Sequence, residues 1–171
     1  GALREHSPLG LGGFGVTGSP CAGKTASQAD LVICVGTRLT DFATGSQSAF
    51  NLPGVKFISL NVCSHDAYKQ GALPLLADAR LGLEALTQEA RVAGVKARTE
   101  YVQEIVEYKK QWQKEVRDGI YQQAPEEAMS QGQLIGILNE EATKGDTIVA
   151  AAGNPPGDLL KIWEATEGKN C

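Results

Sequence analysis

The feature that most constrains the fold of this sequence is a continuous apolar run from Leu31 to Val35, which ends at Gly36. Such a run is typical of a parallel β-strand that helices cover on both faces. It predicts an α/β fold with an open parallel sheet. Ligands of such sheets gather at the carboxyl ends of the strands, so the polar segment 37–46 is a first place to look for a functional site.

Periodicity and turn residues predict the other elements. Further strands are expected at 56–61, 73–77 and 147–151, and helices near 20–28, 47–51, 78–92, 97–116, 131–142 and 158–165. Asp78 and Ser130 precede two of these helices and are good N-cap residues. The helix predicted at 97–116 carries apolar residues on one face and Glu and Lys on the other, so it suits a connector between domains.

These elements predict three parts of the chain. Residues 1–95 are interpreted as a Rossmann-like α/β domain, residues 96–127 as a connector helix with a linker, and residues 128–171 as the first βα unit of a second α/β domain. The last part repeats the order of strand, glycine-containing loop and helix that is typical of parallel α/β folds.

Composition excludes several classes of function. The net charge is −4 and charges of both signs are interspersed, so neither nucleic acid nor an anionic membrane surface is expected as a partner. No apolar run approaches the roughly 20 residues that span a bilayer. The four cysteines show no short metal-type spacing, and Cys34 and Cys63 fall in strands predicted to be buried. Reduced thiols of this kind indicate a cytoplasmic protein.

Several segments together resemble thiamine-diphosphate-dependent enzymes. They are the glycine-rich stretch 12–18, the strand and loop 29–42, and the segments 57–61, 76–79 and 151–159. Within that superfamily the pattern is most similar to the trihydroxycyclohexane-dione hydrolases, which open a ring by C–C hydrolysis in myo-inositol breakdown. The resemblance implies an internal segment of a longer, homo-oligomeric enzyme that uses thiamine diphosphate and magnesium, with the remainder of that enzyme as its main partner. It also implies that residues 1–95 are a partial central domain and residues 128–171 the start of the C-terminal domain, which binds thiamine diphosphate.

The resemblance also implies that no catalytic residue lies in this segment. Enzymes of the superfamily use a glutamate of another domain and a Gly-Asp-Gly motif that holds magnesium, and the sequence contains no Gly-Asp-Gly. The two histidines, His6 and His65, lie far apart without clustered ligand residues, so no metal site is predicted. We therefore expect a structural, catalytically silent segment that binds no cofactor by itself.

One loop is expected to contact the cofactor. By the resemblance, Ala152, Gly153 and Asn154 lie near the diphosphate, at a helix start where free N–H groups favour an anion. Two departures from the family pattern accompany this loop. Pro155 and Pro156 lack amide donors, and Leu160 stands where the similar enzymes are expected to have a histidine.

Two alternatives remain open. The parent enzyme could be another thiamine-diphosphate enzyme, of the acetohydroxyacid synthase or 2-oxoacid decarboxylase type. From a different class, residues 18–25 match the phosphate-loop pattern and residues 10–15 match a dinucleotide fingerprint, which would indicate a nucleotide-binding module. Neither pattern follows a predicted apolar strand, so both are weak indications.

Overall fold

The computed structural model of the chain describes residues 7–122, 128–165 and 168–169, so the end of the predicted linker, at 123–127, lies outside the described residues. The chain forms two compact units. The sheet unit consists of residues 24–98, and the helical unit combines the residues up to Gly23 with those from Thr99 onward. None of the helices in the described part combines the length and apolar character needed to span a bilayer.

The described elements follow one another in α/β order and then continue as helices. In chain order they are α1 (Pro20–Ser27), β1 (Leu31–Val35), α2 (Asp41–Thr44), β2 (Lys56–Asn61), α3 (Ser64–Ala67), a 3₁₀ turn (Lys69–Gly71), β3 (Leu73–Leu76), α4 (Ala79–Val92), α5 (Thr99–Glu115), a π-helical turn (Val116–Ile120), α6 (Gln131–Glu141) and α7 (Asn154–Ile162). The predicted caps are confirmed at Asp78, which accepts from Leu81 N at 3.1 Å, and at Ser130, which forms a capping box with Gln133.

The sheet is parallel and has the strand order β1-β2-β3, which confirms the predicted α/β class with an open parallel sheet. In the register of β1 and β2, Cys34 lies opposite Ser59. In that of β2 and β3, Leu60 lies opposite Leu75. The central strand is the best covered of the three, since its last three residues are all buried.

Helix α4 covers one face of the sheet at a close contact. Leu60 is only 1% exposed, and a Cβ built on Gly82 would lie 2.5 Å from its Cδ1. Such a distance is below any ordinary carbon contact. Glycine at position 82 therefore allows α4 to approach the central strand, although glycine inside a helix lowers the helix propensity.

Two expectations about burial are wrong. β1 was expected to be covered on both faces, but Leu31 and Ile33 are 46% and 52% exposed and only Cys34 is buried. Among the described residues β1 pairs on one side only, so it forms an edge of the sheet. Cys63 is exposed because it follows β2 and precedes α3 instead of lying within a strand.

Two predicted elements also differ from the structure. Residues 148–151 form no strand, and Val149 is 86% exposed. A parallel strand requires neighbours for its backbone hydrogen bonds, and within the described residues the sheet ends at three strands, none of which pairs with 148–151. The short helix expected near 47–51 forms earlier, as α2, because Thr40 caps it with its side chain.

The helical unit has its own apolar core, in which α6 and α7 pack against the π-helical turn. Its buried members are Val116, Ile135, Leu159, Ile162 and Trp163. The buried side chain of Asn139 connects these elements. Its Nδ2 donates to Ile162 O at 3.1 Å and to Tyr121 Oη at 2.7 Å, while Glu164 N donates to its Oδ1 at 3.0 Å. A fully bonded buried amide of this kind holds the carboxyl end of α7 in place.

We expect Gly82→Ala to destabilise the chain, by about 1–3 kcal/mol, because the new methyl group overpacks against Leu60. The matched control is Gly23→Ala, where an added Cβ meets nothing within 4 Å in helix α1. There the same substitution is expected to stabilise by about 0.5–1 kcal/mol. Urea denaturation of both variants measures the difference in their free energies of unfolding. Equal gains in stability would show that the contact between position 82 and Leu60 does not disfavour a methyl group.

Candidate functional site

The carboxyl ends of β1 and β2 are joined by a side chain. Asn61, the last residue of β2, donates from Nδ2 to Thr37 O at 3.0 Å and accepts from Cys63 N at 3.0 Å. Gly36 turns the chain after β1 with φ +61°, a conformation that suits glycine. The loop that leaves β1 is therefore held against the loop that leaves β2.

Lys69 makes a second connection at the same edge. Its Nζ donates to Arg38 O at 2.8 Å and forms an ion pair with Asp66 at 2.7 Å. The hydrogen bond from Lys69, followed by electrostatic interactions with Lys69 and His65, holds the pKa of Asp66 below its ordinary value of 3.8. Asn61 and Lys69 together connect the loops at the edge of the sheet where segment 37–46 was predicted to place a functional site.

Within the described residues, no group of three His, Cys, Asp or Glu side chains could hold a metal ion. His6 lies outside the described residues, so the prediction for that histidine stays a prediction. Burial raises the pKa of the Cys34 thiol above its ordinary value, which disfavours the reactive thiolate form.

The predicted cofactor loop lies immediately before α7. Gly153 is the N-cap of this helix and has φ +125° and ψ −152°, a backbone conformation that side chains rarely adopt. Ala152, Gly153 and Asn154 are all exposed. The first turn of an α-helix leaves its N–H groups without intrahelical partners, and here Gly153 and Asn154 can donate whereas Pro155 and Pro156 cannot.

The loop before α7 has two features that favour a bound anion. The exposed backbone amides and the helix N-terminus favour an anion, and Gly153 permits a close approach because it has no side chain. Asp158 carries the nearest acidic side chain on α7, and its carboxylate accepts from Gln131 Nε2 at 2.6 Å. This bond links the first turn of α6 to α7.

Sequence reasoning missed the segment that contacts α7 from the amino-terminal part of the chain. A Cβ on Gly13 would lie 2.4 Å from Leu160 Cγ, and a Cβ on Gly157 would lie 3.1 Å from Thr17 Cγ2. Leu160, the residue that replaces the expected histidine, therefore packs against Gly13. The glycine-rich composition was visible in the sequence, but nothing in it indicated this partner.

The two nucleotide-type patterns do not form the geometry they would need. Helix α1 begins at Pro20, so Gly23, Lys24 and Thr25 lie inside a helix instead of forming a phosphate-binding loop at its start. Gly10 follows a turn and not a strand, so the dinucleotide fingerprint also lacks its structural context.

Comparison with known proteins agrees with the fold. The profile of the family described as "Thiamine pyrophosphate enzyme, central domain" matches residues 1–86, which is half of the chain. The chain belongs to this family. The family is one of thiamine-diphosphate enzymes, and its central domain is the part that contains the parallel sheet described above.

Curated relatives match most of the chain. An enzyme of Halalkalibacterium halodurans is 37% identical over 91% of this chain and 28% of its own length. An enzyme of Clostridium tetani is 34% identical over 95% of this chain and 28% of its own length. An enzyme of Clostridium perfringens is 34% identical over 95% of this chain and 29% of its own length. All three are named 3D-(3,5/4)-trihydroxycyclohexane-1,2-dione hydrolase. The chain thus spans less than a third of the length of these relatives.

Acid is expected to weaken the connection between Asp66 and Lys69. Because the pKa of Asp66 is lower in the folded than in the unfolded state, its ionised form stabilises the fold at neutral pH, and this contribution is lost as the pH falls through the folded-state pKa. In Asp66→Asn and in Lys69→Met, the free energy of unfolding should fall less on acidification than it does in the unsubstituted chain.

Urea midpoints measured from neutral pH to below 3.8, the ordinary pKa of the group, test this expectation. The control is Lys96→Met, which removes an exposed lysine that is not part of the Asp66–Lys69 ion pair. Asp146, whose pKa is lowered by hydrogen bonds from Thr143, contributes equally in every variant. An unchanged acid profile in Lys69→Met would show that the ion pair does not set the pKa of Asp66.

Proposed function

We propose that this chain is a structural segment of a thiamine-diphosphate-dependent hydrolase that cleaves a C–C bond of a cyclic 1,2-diketone in inositol catabolism. The identity to relatives of that name, over more than nine-tenths of the chain, is the observation that carries the proposal. Detection of that hydrolysis by the full-length polypeptide containing this segment is the direct experiment. Activity as an acetohydroxyacid synthase or 2-oxoacid decarboxylase instead would assign the segment to another enzyme of the family.

In this proposal the loop of Ala152, Gly153 and Asn154 forms one wall of the diphosphate site. Its support is the exposed N-terminus of α7 and the glycine at position 153. Thiamine diphosphate, when bound, supplies the nucleophilic carbon for such a reaction. The amides of this loop hold and orient the phosphate groups, whereas magnesium and the catalytic groups are contributed by the remainder of the enzyme.

The proposed partners follow from the same reasoning. We propose that the remainder of the enzyme covers the exposed strand β1, where Leu31, Ile33 and Val35 meet solvent in the isolated chain. We also propose a homo-oligomeric, cytoplasmic enzyme, and the free thiols of Cys21, Cys34 and Cys63 support the cytoplasmic location.

Gly153→Ala is expected to weaken thiamine diphosphate binding by the full-length polypeptide about tenfold or more, because alanine is strained at φ +125° and its methyl group obstructs the phosphate. Gly145→Ala is the matched control. It has a similar φ of +101° and open space around it, but it lies outside the loop. Titration calorimetry compares the two variants, and equal losses of affinity would mean that position 153 acts through backbone strain alone.

We expect the 171-residue chain by itself to bind neither thiamine diphosphate nor ATP nor NAD measurably. The loop provides only part of a phosphate site, and α1 places Lys24 inside a helix. Calorimetric titration with each ligand tests this. Saturable ATP binding that Lys24→Ala abolishes would favour a nucleotide-binding module over the structural segment.

A further inference from the structure

We propose that residues 11–19, here named the glycine loop, are a positioning element that sets the orientation of α7 and thereby of the cofactor loop. Gly13 and Thr17 are its contact residues, and Leu160 and Gly157 are their counterparts on α7. The inference rests on the role proposed above for Ala152, Gly153 and Asn154. It assigns a function to the glycine-rich stretch that neither nucleotide-type pattern provides.

The glycine loop has a shape that its own backbone holds. Ser19 N donates to Gly13 O at 2.9 Å, and Gly18 N donates to Gly15 O at 2.9 Å. The buried Ser19 hydroxyl donates to Leu11 O at 2.6 Å. A Cβ at Gly18 would lie 2.6 Å from Gly13 O, so the backbone segments at residues 13 and 18 are in contact. A loop closed in this way can act as a rigid surface for another element.

The contact between the glycine loop and α7 is reciprocal. On the loop side, the missing side chain of Gly13 makes room for Leu160. On the helix side, the missing side chain of Gly157 makes room for Thr17. Positions 157 and 160 are three residues apart in α7 and therefore lie on one face of the helix. Each side thus receives a side chain of the other, which restricts both sliding and rotation of the helix.

The other contacts of α7 are made by residues that do not lie on the face of Gly157 and Leu160. Leu159 and Ile162 are buried in the apolar core of the helical unit, and Asp158 is bonded to Gln131. The N-terminus of α7 follows directly from Gly153, so any rotation of the helix displaces the amides of the cofactor loop. A misplacement of about 1 Å is enough to reduce catalysis about a hundredfold when a reacting group is affected.

The experiment introduces a methyl group where Gly13 contacts Leu160 and measures the local stability of α7. Gly13→Ala is made in the 171-residue chain, and amide hydrogen exchange is measured at residues 158–162 without any cofactor. Exchange there should become about tenfold faster, because overpacking against Leu160 opens the helix locally. Gly23→Ala, which meets nothing within 4 Å, is the control and should leave this exchange unchanged.

A second substitution distinguishes the contact from a general loss of stability. Leu160→Ala removes the atoms that the new methyl group would strike, so Gly13→Ala combined with Leu160→Ala should exchange no faster than Leu160→Ala alone. If Gly13→Ala fails to fold, recovery of folding in the double variant supports the proposal. Failure of the double variant to recover, or unchanged exchange in Gly13→Ala, would overturn it.

The link to the cofactor is tested in the full-length polypeptide. There, Gly13→Ala should raise the dissociation constant for thiamine diphosphate, and Leu160→Ala should restore it in the double variant. Unchanged affinity in Gly13→Ala, together with faster exchange in α7, would refute the positioning role. If the unsubstituted full-length polypeptide does not bind thiamine diphosphate, the proposed function fails, while the exchange results still decide whether the glycine loop holds α7.

Discussion

A parallel strand needs at least one hydrogen-bonded neighbour and is usually covered on both faces, and the structure of this chain depends on how far each segment finds such neighbours and cover. β2 finds both, with a strand on each side and α4 in contact with Leu60. β1 finds them only in part, since Leu31 and Ile33 stay exposed. Residues 148–151 have the composition of a strand but, within the described part of the chain, pair with no strand of the sheet.

Close approach between elements is possible in both units because a glycine lies at the contact. Gly82 admits Leu60 of the central strand, and Gly13 admits Leu160 of α7. In each case a methyl group would lie at 2.5 Å or less from a leucine side chain. Glycine is unfavourable in helix α4, so its presence there is explained by packing and not by backbone preference.

Polar side chains near the ends of β1 and β2 connect the loops that follow these strands. Asn61 bonds to the carbonyl of Thr37, and Lys69 connects the carbonyl of Arg38 to the carboxylate of Asp66. A general rule for parallel sheets indicated these loops as the place to look for a functional site. The rule could not indicate that Asn61 and Lys69 would donate to backbone carbonyls of the chain. Arg38, whose carbonyl accepts from Lys69, lies 31 residues away in sequence.

The sequence by itself determined the α/β class, the bounds of β1 and β2, the caps at Asp78 and Ser130 and the family, because these depend on local periodicity, local hydrogen bonds and short motifs. Only the tertiary structure decided that 148–151 is not a strand, that Cys63 is exposed and that Gly13 receives Leu160. Each of these depends on which segment lies next to the residue. A local pattern contains no information about that neighbour, since pairing and packing join residues distant in sequence.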